Sequence, residues 1–126
     1  MLSAIKVKER YCLAIVEDDP FIREAWLDAD VGIAVRTFAC PREFWAALAE
    51  EPALLDDLVA VVTDHHFVND QELGLEFAGR LRGRFTRPIL LASDGEYTEG
   101  QLVVVDRRVA KTPVTLPMLG VSRPKG

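Results

Sequence analysis

The sequence lacks the features that mark secreted, membrane-spanning and nucleic-acid-coating chains. It has only two cysteines in 126 residues. Cys12 lies inside an apolar run and Cys40 precedes a proline, with no paired metal spacing around either, so both read as reduced structural thiols. No apolar run approaches the length that crosses a bilayer, and the opening Met1-Leu2-Ser3-Ala4-Ile5-Lys6 has no signal-peptide core, which points to the cytoplasm. Basic charge is in deficit: 15 Lys and Arg against 20 Asp and Glu leave a net charge of −5. That argues against a protein that coats nucleic acid through a basic face. There is no internal repeat and no low-complexity tract. The chain is 49% hydrophobic and 28% charged, apolar enough to offset the entropy of ordering, and its length suits one domain.

Within that length, apolar runs alternate with helical patterns. Tyr11 to Val16 is continuously apolar and stops at three acids, as a strand buried on both faces does. Asp19-Pro20 supplies a cap and a first-turn proline to a helix whose Ile22, Ala25, Trp26 and Ala29 share a stripe. Val31 to Phe38 reads as a second strand. Pro41 opens a second helix, with Phe44, Ala47 and Leu48 on one face, and Pro52 ends it. Leu58 to Thr63 is a third strand, followed by a polar loop and a helix carrying Leu73, Phe77 and Leu81. Pro88 to Ala92 makes a fourth. Leu102–Val105 and Val109-Ala110 frame the last strand region, with Asp106-Arg107-Arg108 interrupting it. This alternation predicts an α/β, doubly wound, five-stranded parallel sheet. The Gly- and acid-rich stretch after Ser93 and the Pro- and Gly-rich end after Pro117 leave the fourth and fifth crossover helices reduced. A shortened tail would leave apolar surface open, which predicts self-association as a homodimer or docking to another domain.

In such sheets sites form beyond the carboxyl ends of the strands. Glu17 and Asp18 follow strand one, Asp64 follows strand three, Ser93 strand four and Lys111 strand five. Carboxylates gathered there repel one another unless a cation offsets them. Mg²⁺ prefers oxygen ligands, so Asp18, Asp64, a backbone carbonyl just after Asp64 and a water held by Glu17 would suit it. Asp64 could then attack phosphorus, with Lys111 neutralising the phosphoryl oxygens and Ser93 donating its hydroxyl to them. The reading requires that Asp18 face Asp64 and that no salt bridge plug the pit. Asp19 reads instead as a helix cap.

These residues resemble the response-regulator receiver domain of two-component signalling, from about Tyr11 to Pro113. Glu17-Asp18-Asp19-Pro20 is similar to the family's acidic cluster, Thr63-Asp64 to its phosphoacceptor, Ser93 to its switch hydroxyl, and Lys111 with Pro113 to its invariant lysine. The resemblance implies a flavodoxin-like sheet in the order 2-1-3-4-5. It divides the chain into an N-terminal extension over 1–10, a receiver domain over 11–119 and a tail over 120–126. It further implies that Asp64 accepts a phosphoryl group from the phosphohistidine of a sensor histidine kinase or phosphotransfer protein, with Mg²⁺ held by Glu17, Asp18, Asp64 and the His66 carbonyl. The signal would pass through altered protein contacts rather than through nucleic acid or membrane. Self-catalysed phosphoryl acceptance and release would be the only catalysis. His66, two residues beyond the phosphoacceptor, would tune its lifetime.

The sequence departs from the family pattern at several places. The loop from Asp64 to Gly74 is about two residues longer than usual, Thr112 separates Lys111 from Pro113, and Arg108 stands where an aromatic switch residue is usual. These motivate an alternative, a phosphorylation-independent pseudo-receiver acting as an interaction module. Asp64-His65-His66 is also similar to the Asp-His-His of metal-dependent phosphoesterases, but the chain is short for that fold and has no second Asp/His constellation.

Overall fold

The computed structural model describes residues 10–124. The expected extension therefore lies outside the described residues except for Arg10, as do residues 125–126 of the expected tail. The chain runs β1 (Cys12–Val16), α1 (Pro20–Asp28), β2 (Ala34–Phe38), α2 (Pro41–Glu50), α3 (Leu54–Asp57), β3 (Leu58–Thr63), α4 (Gly74–Arg82), β4 (Ile89–Leu91), α5 (Glu99–Leu102), β5 (Arg107–Arg108) and α6 (Leu116–Leu119). The strands form one five-stranded parallel sheet in the order β2-β1-β3-β4-β5, as expected.

The period-2 geometry of β1 explains why its apolar run is unbroken. Leu13 and Ile15 pack on one face with Trp26 of α1 and with Leu116, Leu119 and Val121. Ala14 and Val16 point to the other face, where Phe44 of α2 and Phe77 and Leu81 of α4 lie. Both faces are dry, so neither can accommodate a polar alternation. Phe44 meets Phe38 and Phe77 edge-on, at centroid distances of 5.2 and 5.1 Å.

The helix starts follow their caps. Asp19 accepts the Phe21 N–H at 2.9 Å ahead of Pro20, which bears out its reading as a cap. Pro41 opens α2. Ahead of Pro52, Glu51 leaves helical geometry at φ −127°, ψ 80°. A short α3 that the sequence pattern did not suggest then buries Leu54.

Three expected boundaries shift. β2 begins at Ala34 rather than Val31, because Gly32 turns the chain with a φ of +89°. β4 is shorter than the expected Pro88 to Ala92, at Ile89–Leu91, although the Ala92 N–H still reaches the Thr63 carbonyl at 2.9 Å. The largest correction concerns the fifth strand: Asp106-Arg107-Arg108 does not interrupt it but forms it. Arg107 and Arg108 pair with Leu90 and Leu91, and the flanking Asp106 and Val109 N–H groups reach the Ile89 and Leu91 carbonyls. An edge strand can carry charge because its side chains stay in water, and such charge blunts the open edge. Leu102 instead ends α5, and Val105 is buried just beyond it.

The helices after β4 and β5 are reduced, with four residues each. α6 nonetheless covers sheet surface: Leu116, Leu119 and Val121 are buried, and Met118 is its large exposed residue. No helix among the described residues is long and apolar enough to cross a membrane.

Phe77 is fully buried whereas Phe21 is 81% exposed. Phe77→Ala is expected to lower the unfolding free energy by about 3–5 kcal/mol, and Phe21→Ala to change it by less than about 0.5 kcal/mol, both measured by urea denaturation.

Candidate functional site

Register builds the site. Val16 pairs with Thr63, and the ladder runs one bond further as the Asp64 N–H reaches the Val16 carbonyl at 2.9 Å. Glu17 and Asp64 therefore leave adjacent strand ends side by side. Arg23 on the first turns of α1 donates to the Glu17 and Asp18 carbonyls at 2.9 and 2.8 Å, fixing the backbone that aims these two acids. Lys111 arrives from beyond β5, where the Val109 N–H bonds to the Leu91 carbonyl.

Glu17, Asp18 and Asp64 each place a carboxylate oxygen within 4.8 Å of the other two. Among the described residues this is the one such group of potential metal ligands. Lys111 Nζ bonds Asp64 Oδ2 at 2.9 Å and lies 3.6 Å from Glu17 Oε1. Asp64 Oδ1 accepts the His65 N–H at 2.7 Å, Asp18 Oδ2 accepts the Val68 N–H at 3.1 Å, and Glu17 Oε2 accepts the Asp19 N–H at 3.0 Å. A salt bridge is thus present in the pit, but it does not exhaust the pit's acceptors. Each of these oxygens has a second lone pair, and the ion pairs of the described residues do not involve Asp18.

The charge balance explains the protonation. Three carboxylates face one ammonium, so full ionisation would leave two uncompensated negative charges in a largely buried pit. Burial, together with the charge on Asp64 and a hydrogen bond with Asp18, pushes the Glu17 carboxyl up to about 7, against the opposing pull of the Asp19 N–H and Lys111. Burial pulls the Lys111 ammonium down, but Asp64 and Glu17 outweigh it, and Lys111 is held above its ordinary value and stays charged.

The loop after Asp64 is shaped by Gly74. Its N–H reaches the His65 carbonyl at 2.7 Å, and a Cβ there would lie 1.7 Å from the Asp64 carbonyl oxygen, so no side chain fits. His65 is buried. Its Nδ1 accepts the Leu75 N–H at 3.2 Å, which places the proton of the neutral ring on Nε2. Burial and then His66 lower its pKa. His65 lies outside the carboxylate cluster, and among the described residues no second constellation gathers around it, so the phosphoesterase resemblance has no structural counterpart there. The His66 side chain is exposed, its ring edge-on to His65, and none of the hydrogen bonds among the described residues uses its carbonyl.

Ser93 is not drawn onto Asp64. Its Oγ lies 2.6 Å from Tyr97 Oη and accepts the Gly95 N–H at 3.3 Å. Arg108 donates to the Ser93 and Gly95 carbonyls and lies over the Tyr97 ring at 5.1 Å. Sequence reasoning had named Arg108 only as a departure and had not found Tyr97. A tyrosine four residues after a serine carries no signal until the loop is folded.

The raised Glu17 pKa sets a pH dependence of stability. Between about pH 4.5 and 7 the folded chain keeps a proton that the unfolded chain has lost. Stability from this group is therefore complete below about 4.5 and falls as pH rises through about 7. In metal-free buffer, urea titrations across this window are expected to show the fall in wild type and a flatter profile in Glu17→Gln.

No protein-family model and no curated protein matches the sequence. Solved structures do match. Response regulator protein TrrA from Thermotoga maritima, in complex with Mg²⁺–BeF, is 19% identical over 87% of this chain and 93% of that one, with a TM-score of 0.67. Chemotaxis protein CheY4 from Vibrio cholerae is 21% identical over 86% and 92%, with a TM-score of 0.66. A response regulator receiver protein from Pseudomonas putida is 23% identical over 90% and 94%, with a TM-score of 0.64. The chain has the fold of response-regulator receiver domains.

Proposed function

We propose that this chain is a phosphoacceptor receiver module of two-component signalling. The observation that carries the reading is the meeting of Glu17, Asp18 and Asp64 within 4.8 Å, with Lys111 Nζ 2.9 Å from Asp64. An all-oxygen donor set with spare lone pairs fits Mg²⁺ better than a softer ion. Glu17, Asp18, Asp64 and the His66 carbonyl are the groups that would hold the ion, Glu17 through a water. Bound there, Mg²⁺ supplies charge neutralisation for incoming phosphoryl oxygens.

Asp64 is the nucleophile. One carboxylate oxygen forms the new P–O bond while the P–N bond of a donor phosphohistidine breaks, and its electron pair returns to the imidazole nitrogen. Lys111, charged and already on Asp64, neutralises the phosphoryl oxygens, and Ser93 is the hydroxyl on the adjacent strand end. The kinship of fold with TrrA, whose structure holds Mg²⁺–BeF, supports an ion in this kind of pocket. A sensor kinase or phosphotransfer protein is the partner this chemistry requires, and altered protein contacts are the output. The assembled acids and lysine favour this reading over a phosphorylation-independent module, which would have no use for them.

Incubation with Mg²⁺ and acetyl phosphate, followed by intact mass measurement, is expected to show one added phosphoryl group on wild type and none on Asp64→Asn. An unmodified wild-type chain, or equal modification of the variant, would contradict the assignment.

A further inference from the structure

Ser93 Oγ meets two groups that can donate to it. It accepts the Gly95 N–H at 3.3 Å and lies 2.6 Å from Tyr97 Oη. A phenol gives up its proton more readily than an aliphatic alcohol and is the poorer acceptor, so Tyr97 donates in this pair. A serine hydroxyl has two lone pairs and one proton. With both lone pairs taken, the proton is all that Ser93 has left to offer.

The arrangement is held from several sides. Arg108 donates to the carbonyls of Ser93 and Gly95 and lies 5.1 Å above the Tyr97 ring, joining the edge strand to the loop. The Tyr97 ring also meets His65 edge-on, with centroids 5.0 Å apart. His65 is itself fixed by the Leu75 N–H and follows Asp64 directly. Gly95 makes room: a Cβ there would lie 2.6 Å from Tyr97 Oη.

We infer that Tyr97 is a positioning residue for phosphoryl transfer. Clamped by Arg108, it donates to Ser93 so that the serine proton is reserved for the phosphoryl oxygens at Asp64. The inference rests on the reading of Asp64 as phosphoacceptor and adds two residues to it, Tyr97 and Arg108. Hydrogen bonds in such a chain strengthen one another, so losing the first weakens the last.

The test is a double-mutant cycle on the rate of phosphorylation by acetyl phosphate with Mg²⁺, followed by intact mass. Tyr97→Phe keeps the ring and its contacts but loses the donor. It is expected to slow the maximal rate about fivefold, the equivalent of one ordinary hydrogen bond, with the half-saturating donor concentration unchanged. In a Ser93→Ala background the same substitution is expected to change nothing, because the hydroxyl it serves is gone. Gly95→Ala, which pushes Tyr97 Oη away without altering either partner, is expected to reproduce the slowing. A Tyr97→Phe chain that is as fast as wild type, faster than it, or equally slowed in both backgrounds overturns the inference while leaving Asp64 as acceptor. A wild-type chain that takes up no phosphoryl group overturns both, and the two failures are thus distinguishable.

Discussion

The pit where β1 and β3 end is short of positive charge, and much of the local architecture answers that shortage. Glu17, Asp18 and Asp64 converge within 4.8 Å, and one lysine reaches Glu17 and Asp64. Where the charge is not balanced a proton takes its place, and Glu17 stays protonated up to about 7. The Glu17, Asp18 and Asp64 carboxylates are tied down by backbone donors: Asp19 to Glu17, Val68 to Asp18, His65 to Asp64. Acids gathered this way cost stability, and shifted carboxyls of this kind are commoner at functional sites than elsewhere.

The sheet makes the pit possible because parallel strands all end on the same side. β1, β3 and β4 are buried on both faces, so charged residues are admitted only past their last paired residues, and there they accumulate. Val16 and Thr63 are the last cross-strand partners of β1 and β3, and the acids follow at once. Gly74 lets the start of α4 lie against the Asp64 carbonyl. The packing that stabilises the domain and the electrostatics that strain its site are therefore consequences of one topology.

Much of this was legible in the residues. β3 lay where its apolar run placed it, and Pro20 and Pro41 marked their helix starts, because burial on both faces and fixed proline φ leave few alternatives. The acids and Lys111 were legible as a group because strand ends are predictable even when loops are not. The fifth strand was misread, since an edge strand is chosen by pairing on one side, and Arg107-Arg108 shows no apolar pattern to betray it. α3 was missed because four residues carry too little periodicity. Tyr97 was missed for a different reason. Its role depends on a loop conformation set by Gly95 and by Arg108 from a distant segment, which local sequence does not encode.

The central claim is that the three carboxylates form one cation site. Calorimetric titration of the chain with MgCl₂ at pH 8, above the Glu17 transition, tests it most directly. The account expects one ion per chain, bound far more weakly by Asp18→Asn, whose fold should persist because that side chain is only half-buried and touches the loop at Val68 and the Glu17 carboxyl rather than the core. Absence of saturable heat in wild type, or equal affinity in the variant, would contradict it.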